Sequence, residues 1–315
     1  MANGKLTRRT FNQGLLAMLT TTALGACAAT PKPESAGKIT AIDTHAHVFS
    51  HDLPLAQRRR YAPSYDAPLS RYLAQLDAHG VSHGVLIQPS FLGTDNRYLV
   101  QSIARAPARL RGIAVIDPAA VAADPGQLDA LARAGVVGIR LNLFSLPDPD
   151  YSSAAWQATL DQIASLGWQV EVHCEAQRLP QVVGPLVERK GGGINVVVDH
   201  FGRPKPALGV DDPGFRYLLT LGTTRRVWVK VSGAYRNAAR KTGADGSATA
   251  LAAMPLLQDA FGLDRLVWGS DWPHTQFEHV ESYDAVYALM LKQLPTERER
   301  RAVLVDTPAR LFRFV

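Results

Sequence analysis

Two histidines near the start of the chain have the spacing of a catalytic or metal-binding pair. His45 and His47 stand at the end of a β-rich run, 39–46, and just beyond it. Side chains two residues apart in a strand point to the same face. Two imidazoles on one face can ligate a metal or donate hydrogen bonds to one oxyanion. The pair predicts a functional site at the end of this strand.

An aspartate near the other end of the chain is the strongest candidate for a general base. Asp271 lies in the segment Trp-Gly-Ser-Asp-Trp-Pro-His, 268–274. We expect the two flanking tryptophans to desolvate the carboxylate partly, which would raise its pKa and make it a better base. The alternative, that Asp271 is the ion-pair partner of a neighbouring lysine or arginine, stays open.

Polar residues also stand within or after other apolar runs, where aliphatic side chains would fill a core. Arg140 lies in the run 137–141, and a buried guanidinium needs an anionic partner. Ser90 lies in a turn, 88–96, whose amides and hydroxyls either hold an anionic group or cap a helix. The other candidates at run ends are His173, His200, Arg203 and Arg236.

Eight short β-rich runs position these residues. Segments with helical spacing of apolar residues separate them, for example Leu69, Tyr72 and Leu76 after the first run. Alternation of strand and helix predicts an α/β fold with a parallel sheet. The runs are 39–46, 84–88, 110–116, 137–141, 169–173, 194–199, 227–231 and 266–269.

The number of strands favours one domain. Eight βα units between residues 39 and 315 match a (β/α)8 TIM barrel of about 250 residues, whose active site lies at the carboxyl ends of the strands. A doubly wound open sheet is the alternative. No G-x-G-x-x-G follows the first run, so a dinucleotide site is unsupported. A content of 46% hydrophobic and 20% charged residues is typical of a globular protein.

The first 29 residues have the composition of an export signal. Lys5, Arg8 and Arg9 precede an apolar stretch that ends in small residues, and 7–11 resembles the twin-arginine signal that exports folded proteins. The apolar stretch is shorter than the roughly 20 residues of a transmembrane helix. We therefore predict a cleavable signal at 1–29, a flexible leader at 30–38, the twin-arginine export machinery as a partner and a periplasmic location.

Cleavage has two possible forms. The segment 26–28 fits an A-x-A site, but 24–27 resembles a lipobox, in which Cys27 would carry a lipid anchor. Cys174 is the only other cysteine, so the mature domain can form no internal disulfide.

Much of the net positive charge belongs to this signal. The chain carries +6, and removal of residues 1–29 takes away three positive charges and no acidic residue, which leaves +3. The remaining sequence has no run of five basic residues. Arg58, Arg59 and Arg60 form a run of three. A nucleic-acid partner is therefore disfavoured.

Taken in order, these segments resemble the amidohydrolase superfamily. The resemblance rests on His-x-His after the first strand, His-x-x-Arg at 200–203 and the segment 268–274, and it extends to 88–96, 138–142, 227–236 and 306–311. The nearest branch is that of the lactonases typified by 2-pyrone-4,6-dicarboxylate lactonase. Together the motifs cover essentially the whole chain after the signal.

The resemblance implies a (β/α)8 barrel that hydrolyses a small anionic lactone without needing a bound metal. The substrate would be similar to 2-pyrone-4,6-dicarboxylate or to a sugar lactone. Asp271 would activate water, while His45, His47 and His200 would polarise the carbonyl and stabilise the oxyanion. The substrate carboxylates would bind to Arg140, Arg203 and Arg236, assisted by Ser90 and Tyr65.

Two departures from the family pattern keep alternatives open. Leu146 stands where the lactonases have a second arginine after strand four, so one carboxylate contact is missing. His173 completes a set of zinc-binding positions with His45, His47, His200 and Asp271. Strand four has no lysine to bridge two metals, so a mononuclear decarboxylase or amidohydrolase with one divalent metal such as zinc is the alternative. A non-catalytic carboxylate-binding protein is the second alternative.

Overall fold

The computed structural model describes residues 37–190, 192–239 and 244–314. The predicted export signal and residues 30–36 of the predicted leader lie outside these ranges. Among the described residues, no helix is both long enough and apolar enough to cross a membrane.

Eight strands run in parallel in the order β1 to β8, which confirms the predicted parallel sheet. Three predicted runs, 39–46, 110–116 and 194–199, are shorter in the structure. Pairing with β2 begins at Ile42, and β3 ends at Ala114 because the Val115 amide donates to Asn96 Oδ1 at 3.1 Å. The strands are β1 (Ile42–Ala46), β2 (His83–Ile87), β3 (Leu110–Ala114), β4 (Val136–Asn142), β5 (Gln169–His173), β6 (Asn195–Val198), β7 (Val227–Ser232) and β8 (Leu266–Gly269).

Helices follow the strands and begin where the sequence supplies caps. The Ser153 hydroxyl accepts from the Trp156 amide to start the fifth helix, which ends at Gly167 in the left-handed conformation. The helices are α1 (Leu69–Ala78), α2 (Arg97–Arg105), α3 (Pro118–Ala123), α4 (Gly126–Arg133), α5 (Ala154–Leu166), α6 (Leu179–Val187), α7 (Pro213–Thr220), α8 (Ala244–Phe261), α9 (Tyr283–Gln293), α10 (Glu297–Arg301) and α11 (Thr307–Leu311).

The first strand and the segment after the last strand meet along a seam. The Asp271 amide donates to the His45 carbonyl and the His47 amide to the Trp272 carbonyl, both at 2.7 Å. Asp43 accepts from the Ser270 amide and hydroxyl at 2.8 and 2.6 Å. The sheet is therefore a barrel joined at this seam rather than the open sheet considered as the alternative.

The interior of the barrel is apolar at one end and polar at the other. Near the amino ends of the strands it holds a cluster of aliphatic side chains, which Phe312 covers from beyond α11. Towards the carboxyl ends, buried ionisable side chains replace them. The aliphatic cluster consists of Ile42, Val85, Ile87, Ile113, Val137, Val197, Val267, Ala309 and Phe312.

Candidate active site

The histidine pair lies at the carboxyl end of β1. His45 Nε2 and His47 Nε2 are 3.3 Å apart, and both side chains are buried. His47 Nδ1 lies 2.8 Å from the Ile87 carbonyl, which can only accept, so Nδ1 carries the proton. Burial lowers the pKa of both imidazoles. In its neutral form, His47 therefore presents a bare Nε2 to the site.

Asp271 lies opposite this pair, just after β8, with a left-handed backbone (φ 60°). Its Oδ2 accepts from the Tyr235 hydroxyl at 2.8 Å and from Arg236 Nε. Its Oδ1 lies 3.5 Å from His47 Nε2 and 3.8 Å from His45 Nε2, and among the described residues it accepts no hydrogen bond. One carboxylate oxygen is thus held in place, and the other faces the imidazoles.

The expectation of a raised pKa for Asp271 is wrong. Burial does raise the pKa of this carboxyl, but the positive charge of Arg236 and the neighbouring His200 and His47 outweigh burial and hold it well below its usual range. The flanking tryptophans pack elsewhere, with the Trp272 ring stacked on Tyr72. Asp271 is therefore ionised at neutral pH because of its ion pair.

His200 reaches the same point from the end of β6. Its Nδ1 lies 2.9 Å from Ser232 Oγ and its Nε2 lies 3.9 Å from Asp271 Oδ2. Burial lowers its pKa to about 3. A β-carbon at Gly233 would lie 2.7 Å from His200 Nδ1 and 2.9 Å from Asp271 Oδ2, and Gly233 also has a positive φ. The close approach of β6 and β8 therefore requires a glycine here.

A network of buried charged residues contacts Nδ1 of His45. The Lys230 ammonium lies 2.8 Å from Glu171 Oε1, 3.3 Å from Asp199 Oδ1 and 3.1 Å from His45 Nδ1. An ammonium can only donate, so His45 Nδ1 accepts and the proton of the neutral ring lies on Nε2. Lys230 thereby makes His45 a hydrogen-bond donor towards the site.

The arginines predicted to bind substrate already have partners inside the protein. Both Nε and an Nη of Arg140 lie about 3 Å from Asp199 Oδ2, at 3.0 and 2.9 Å. Arg236 pairs with Asp271, and Arg203 donates to the Arg236 carbonyl and to Asn237 Oδ1. Burial, with Arg236 beside it, lowers the pKa of Arg203 to about 10. Arg140 and Arg236 line the site, and each uses part of its donor set on an internal carboxylate.

His173 borders the site from the end of β5. Its Nδ1 lies 3.1 Å from Asn142 Oδ1, and its buried Nε2 has no hydrogen-bond partner among the described residues. Burial and the charge of Arg140 hold its pKa well below the usual value. His173 is a neutral group that faces the cavity.

The cavity bounded by these residues has a volume of about 20 Å³, which is room for one water molecule. Ser90 lines it as predicted, but Tyr65 does not. Tyr65 packs on Phe49 and lines a separate cavity of about 720 Å³. Tyr61 closes the small cavity and bonds to Thr275 Oγ1 at 2.9 Å.

Sequence reasoning missed several residues of the site. Lys230, Glu171 and Asp199 stand in or next to predicted strands, and the sequence assigned them no role, although a charge inside a buried strand is itself a signal. Arg60 belongs to the short arginine run, and it lines the cavity and lies over the Phe144 ring, 5.1 Å from its centre. Nothing in the sequence spacing around Tyr235 and Tyr61 indicated that they belong to the site.

The spacing of some donors would suit a metal ion. One ligand atom each of His45, His200 and Asp271 lie within 4.8 Å of one another. The hydrogen bonds oppose this use, since Lys230 leaves the proton of His45 on Nε2 and Arg236 already neutralises Asp271. Metal binding by this set would therefore require the proton of His45 to leave Nε2 and Asp271 to be shared between the metal and Arg236.

Comparison with known proteins places this geometry in context. A family model described as "Amidohydrolase" matches residues 42–314. A 4-sulfomuconolactone hydrolase of Hydrogenophaga intermedia is 30% identical over 282 residues, which are 86% of this chain and 88% of that protein.

Two solved structures share the barrel. A probable 2-pyrone-4,6-dicarboxylic acid hydrolase of Acinetobacter baumannii with citric acid bound is 38% identical, with a TM-score of 0.81 over 87% of this chain and 99% of its own. An amidohydrolase of Burkholderia multivorans with bound zinc is 20% identical, with a TM-score of 0.70 over 87% and 99%. At that identity the second structure shows the fold alone.

Proposed function

The chain belongs to the amidohydrolase family, and from that membership and its site we propose that it is a hydrolase that opens a small carboxylated lactone. The substrate is similar to 2-pyrone-4,6-dicarboxylate. The observation that carries the proposal is the arrangement of Asp271, with Oδ2 held by Tyr235 and Arg236 and Oδ1 directed at His45 and His47.

Asp271 activates the attacking water. A water on the open side of Asp271 Oδ1 and the unprotonated Nε2 of His47, which lie 3.5 Å apart, donates one hydrogen bond to each and directs a lone pair outward. Asp271 Oδ1 takes the proton as the water oxygen bonds to the lactone carbonyl carbon. The ion pair with Arg236 keeps Asp271 ionised, so the base is ready at every physiological pH.

Neutral histidines stabilise the oxyanion that forms. His45 donates from Nε2 because Lys230 occupies its Nδ1. His200 donates from Nε2 when Nδ1 accepts from the Ser232 hydroxyl. Donors fixed before the reaction do not have to reorganise, and each is worth roughly 3 to 4 kcal/mol in such sites. His47 differs from the sequence expectation, because it orients the water rather than donating to the oxyanion.

Ring opening then returns the proton. The tetrahedral intermediate re-forms its carbonyl as the ring C–O bond breaks, and the leaving oxygen takes the proton held on Asp271. One water is consumed, the product is an open-chain acid, and Asp271 is again a carboxylate.

Arginine side chains hold the ring carboxylate. The guanidinium of Arg236 uses Nε for Asp271 and has further N–H groups for a substrate carboxylate. A substrate anion that shares Arg236 weakens its hold on Asp271 and shifts the pKa of the base upward, which strengthens it. Arg203, which has no acidic partner among the described residues, adds positive charge at the same edge.

The test is whether the protein hydrolyses 2-pyrone-4,6-dicarboxylate, 4-sulfomuconolactone or sugar lactones. Proton release measures the rate. We expect Asp271→Asn to lower kcat about 10²- to 10⁴-fold while the protein still binds a non-hydrolysable aromatic dicarboxylate. Full turnover by that variant would refute the assignment of Asp271 as the base.

A mononuclear metal enzyme on the same barrel is the second candidate, favoured by the spacing of His45, His200 and Asp271. A divalent metal would polarise the carbonyl and lower the pKa of a bound water. Dialysis against a chelator with metal analysis separates the two candidates. The metal-free reaction predicts full activity in a sample that contains no zinc, and activity restored only by added metal would favour the second.

The export assignment is also a proposal. The basic start, apolar stretch and small residues of 1–29 support export by the twin-arginine machinery to the periplasm, with a lipid at Cys27 as the alternative to simple cleavage. Replacement of Arg8 and Arg9 by lysine should retain the enzyme in the cytoplasmic fraction. Mass spectrometry of the mature amino terminus distinguishes a lipidated from a free end.

A further inference from the structure

A second cavity of about 430 Å³ adjoins the small catalytic cavity, and the two share Arg60, Ser90 and Asn142. The loop after β1 contributes three consecutive arginines to its wall, Arg58, Arg59 and Arg60. Phe144 and Leu146, from the loop after β4, supply apolar surface. We call this cavity the arginine groove.

The positive charge of the groove is uncompensated. No aspartate or glutamate lines it, and among the described residues none of the three arginines forms an ion pair. The one hydrogen bond that they make is from Arg59 Nη1 to the Ala56 carbonyl, at 2.9 Å. By contrast, Arg140 and Arg236 are paired with Asp199 and Asp271. Among the arginines that line the two cavities, those of the loop are therefore the ones without an acidic partner among the described residues.

We propose that the arginine groove is a subsite for a second, distal anionic group of the substrate, a carboxylate or sulfonate held by Arg60 with support from Arg58 and Arg59. This inference rests on the proposed lactone hydrolysis and assigns these three arginines as the residues that set the preference for a dianionic over a monoanionic lactone. The ring lies over Asp271 and an apolar part crosses Phe144, so that the second anion reaches the groove.

The geometry supports this orientation. The guanidinium of Arg60 lies over the Phe144 ring, 5.1 Å from its centre, and that of Arg203 lies 5.0 Å from the same ring. Phe144 thus contacts both the guanidinium of the loop and that of the catalytic edge. Leu146, 44% exposed, adds apolar surface to the wall of the same groove.

The test compares 2-pyrone-4,6-dicarboxylate with its two monocarboxylates. We expect Arg60→Gln to lower the preference for the dicarboxylate, as the ratio of kcat/KM values, about 10- to 100-fold, mainly through KM. Arg58→Gln and Arg59→Gln should each lower it several-fold. Arg105→Gln, an exposed arginine at the end of α2 that removes the same charge, is the matched control and should leave the preference unchanged.

A binding measurement separates this proposal from the proposed reaction. Calorimetric titration with pyridine-2,4-dicarboxylate and pyridine-2-carboxylate needs no turnover. If the wild-type protein opens no lactone but Arg60→Gln abolishes the preference for the dicarboxylate ligand, the lactonase proposal fails and the subsite stands. If lactones are hydrolysed and Arg60→Gln behaves like Arg105→Gln in both assays, the subsite proposal is refuted.

Discussion

Two regions next to the reaction hold positive charge in opposite ways. Inside the barrel, Lys230 and Arg140 lie fully buried against Glu171 and Asp199, so the charges cancel. In the arginine groove three guanidiniums stand at the surface with no acidic partner in the described part of the chain. The barrel network is compensated within the chain, and the groove obtains its negative charge from a ligand.

The comparison teaches that the type of residue does not decide its role. Arg140 and Arg236 have the chemistry of carboxylate binders, but the fold uses them first to balance its own aspartates. Arginines at the edge, which carry no conspicuous motif, keep their donors free. A buried charge that lacks a partner is far more costly than an exposed one, so the interior must be neutralised during folding.

The largest expected effect is a loss of stability when the buried charge network inside the barrel is disrupted. Lys230→Met leaves Glu171 and Asp199 buried with too little positive charge, and we expect a loss of about 3 to 5 kcal/mol in the free energy of unfolding. Denaturant unfolding measures it. The double variant Lys230→Met with Glu171→Gln should be less destabilised than Lys230→Met alone, since it removes the orphaned charge; equal stability of the two would contradict the network.

The second effect is a pH dependence of stability. Burial lowers the pKa of His200 to about 3 and that of His274 to about 4, while the unfolded chain binds protons on these rings near pH 6.5. Stability is therefore fully present above pH 6.5 and falls as the pH falls towards these values, by up to about 1.4 kcal/mol per pH unit for each histidine. In His200→Asn, the free energy of unfolding should fall less steeply between pH 6 and 4.5, by the slope that one bound proton contributes. An unchanged slope would be inconsistent with a neutral His200.

The smallest expected effect is a difference in salt dependence between the two regions. Exposed guanidiniums are screened within about 10 Å at 0.1 M salt, whereas the buried pairs are not. We expect KM for a dianionic lactone to rise several-fold between 0.05 and 0.5 M salt in the wild type and less in Arg60→Gln. Stability of the barrel should change little over the same range. A KM that is independent of salt in both proteins would place the substrate anion away from the loop.

Much of the architecture could be predicted from sequence. Apolar runs with intervening helical periodicity identified all eight strands to within about three residues at each end, because burial on both faces leaves a continuous aliphatic signature. The rule that active sites lie at the carboxyl ends of barrel strands directed attention to His45 and Asp271.

The pairings could not be predicted, because they depend on register between distant strands. Arg140 meets Asp199 across the barrel, and Lys230 meets Glu171, although these residues are far apart in sequence. The direction of the Asp271 pKa followed from the placement of Arg236, which the sequence could not supply. Tyr61 rather than Tyr65 closes the cavity, since loop conformation decides which of two nearby tyrosines turns inward.

The seam between β1 and the segment after β8 brings together residues of the candidate site from the two ends of the barrel sequence. His45 is among the first residues of the barrel and Asp271 among the last, and backbone hydrogen bonds across the seam hold them together. A nascent chain that still lacks its final strand has the imidazoles but not the Asp271 carboxylate, and so it lacks the base that we propose. On that proposal, activity requires that β8 and Asp271 have been synthesised and that the seam with β1 has formed.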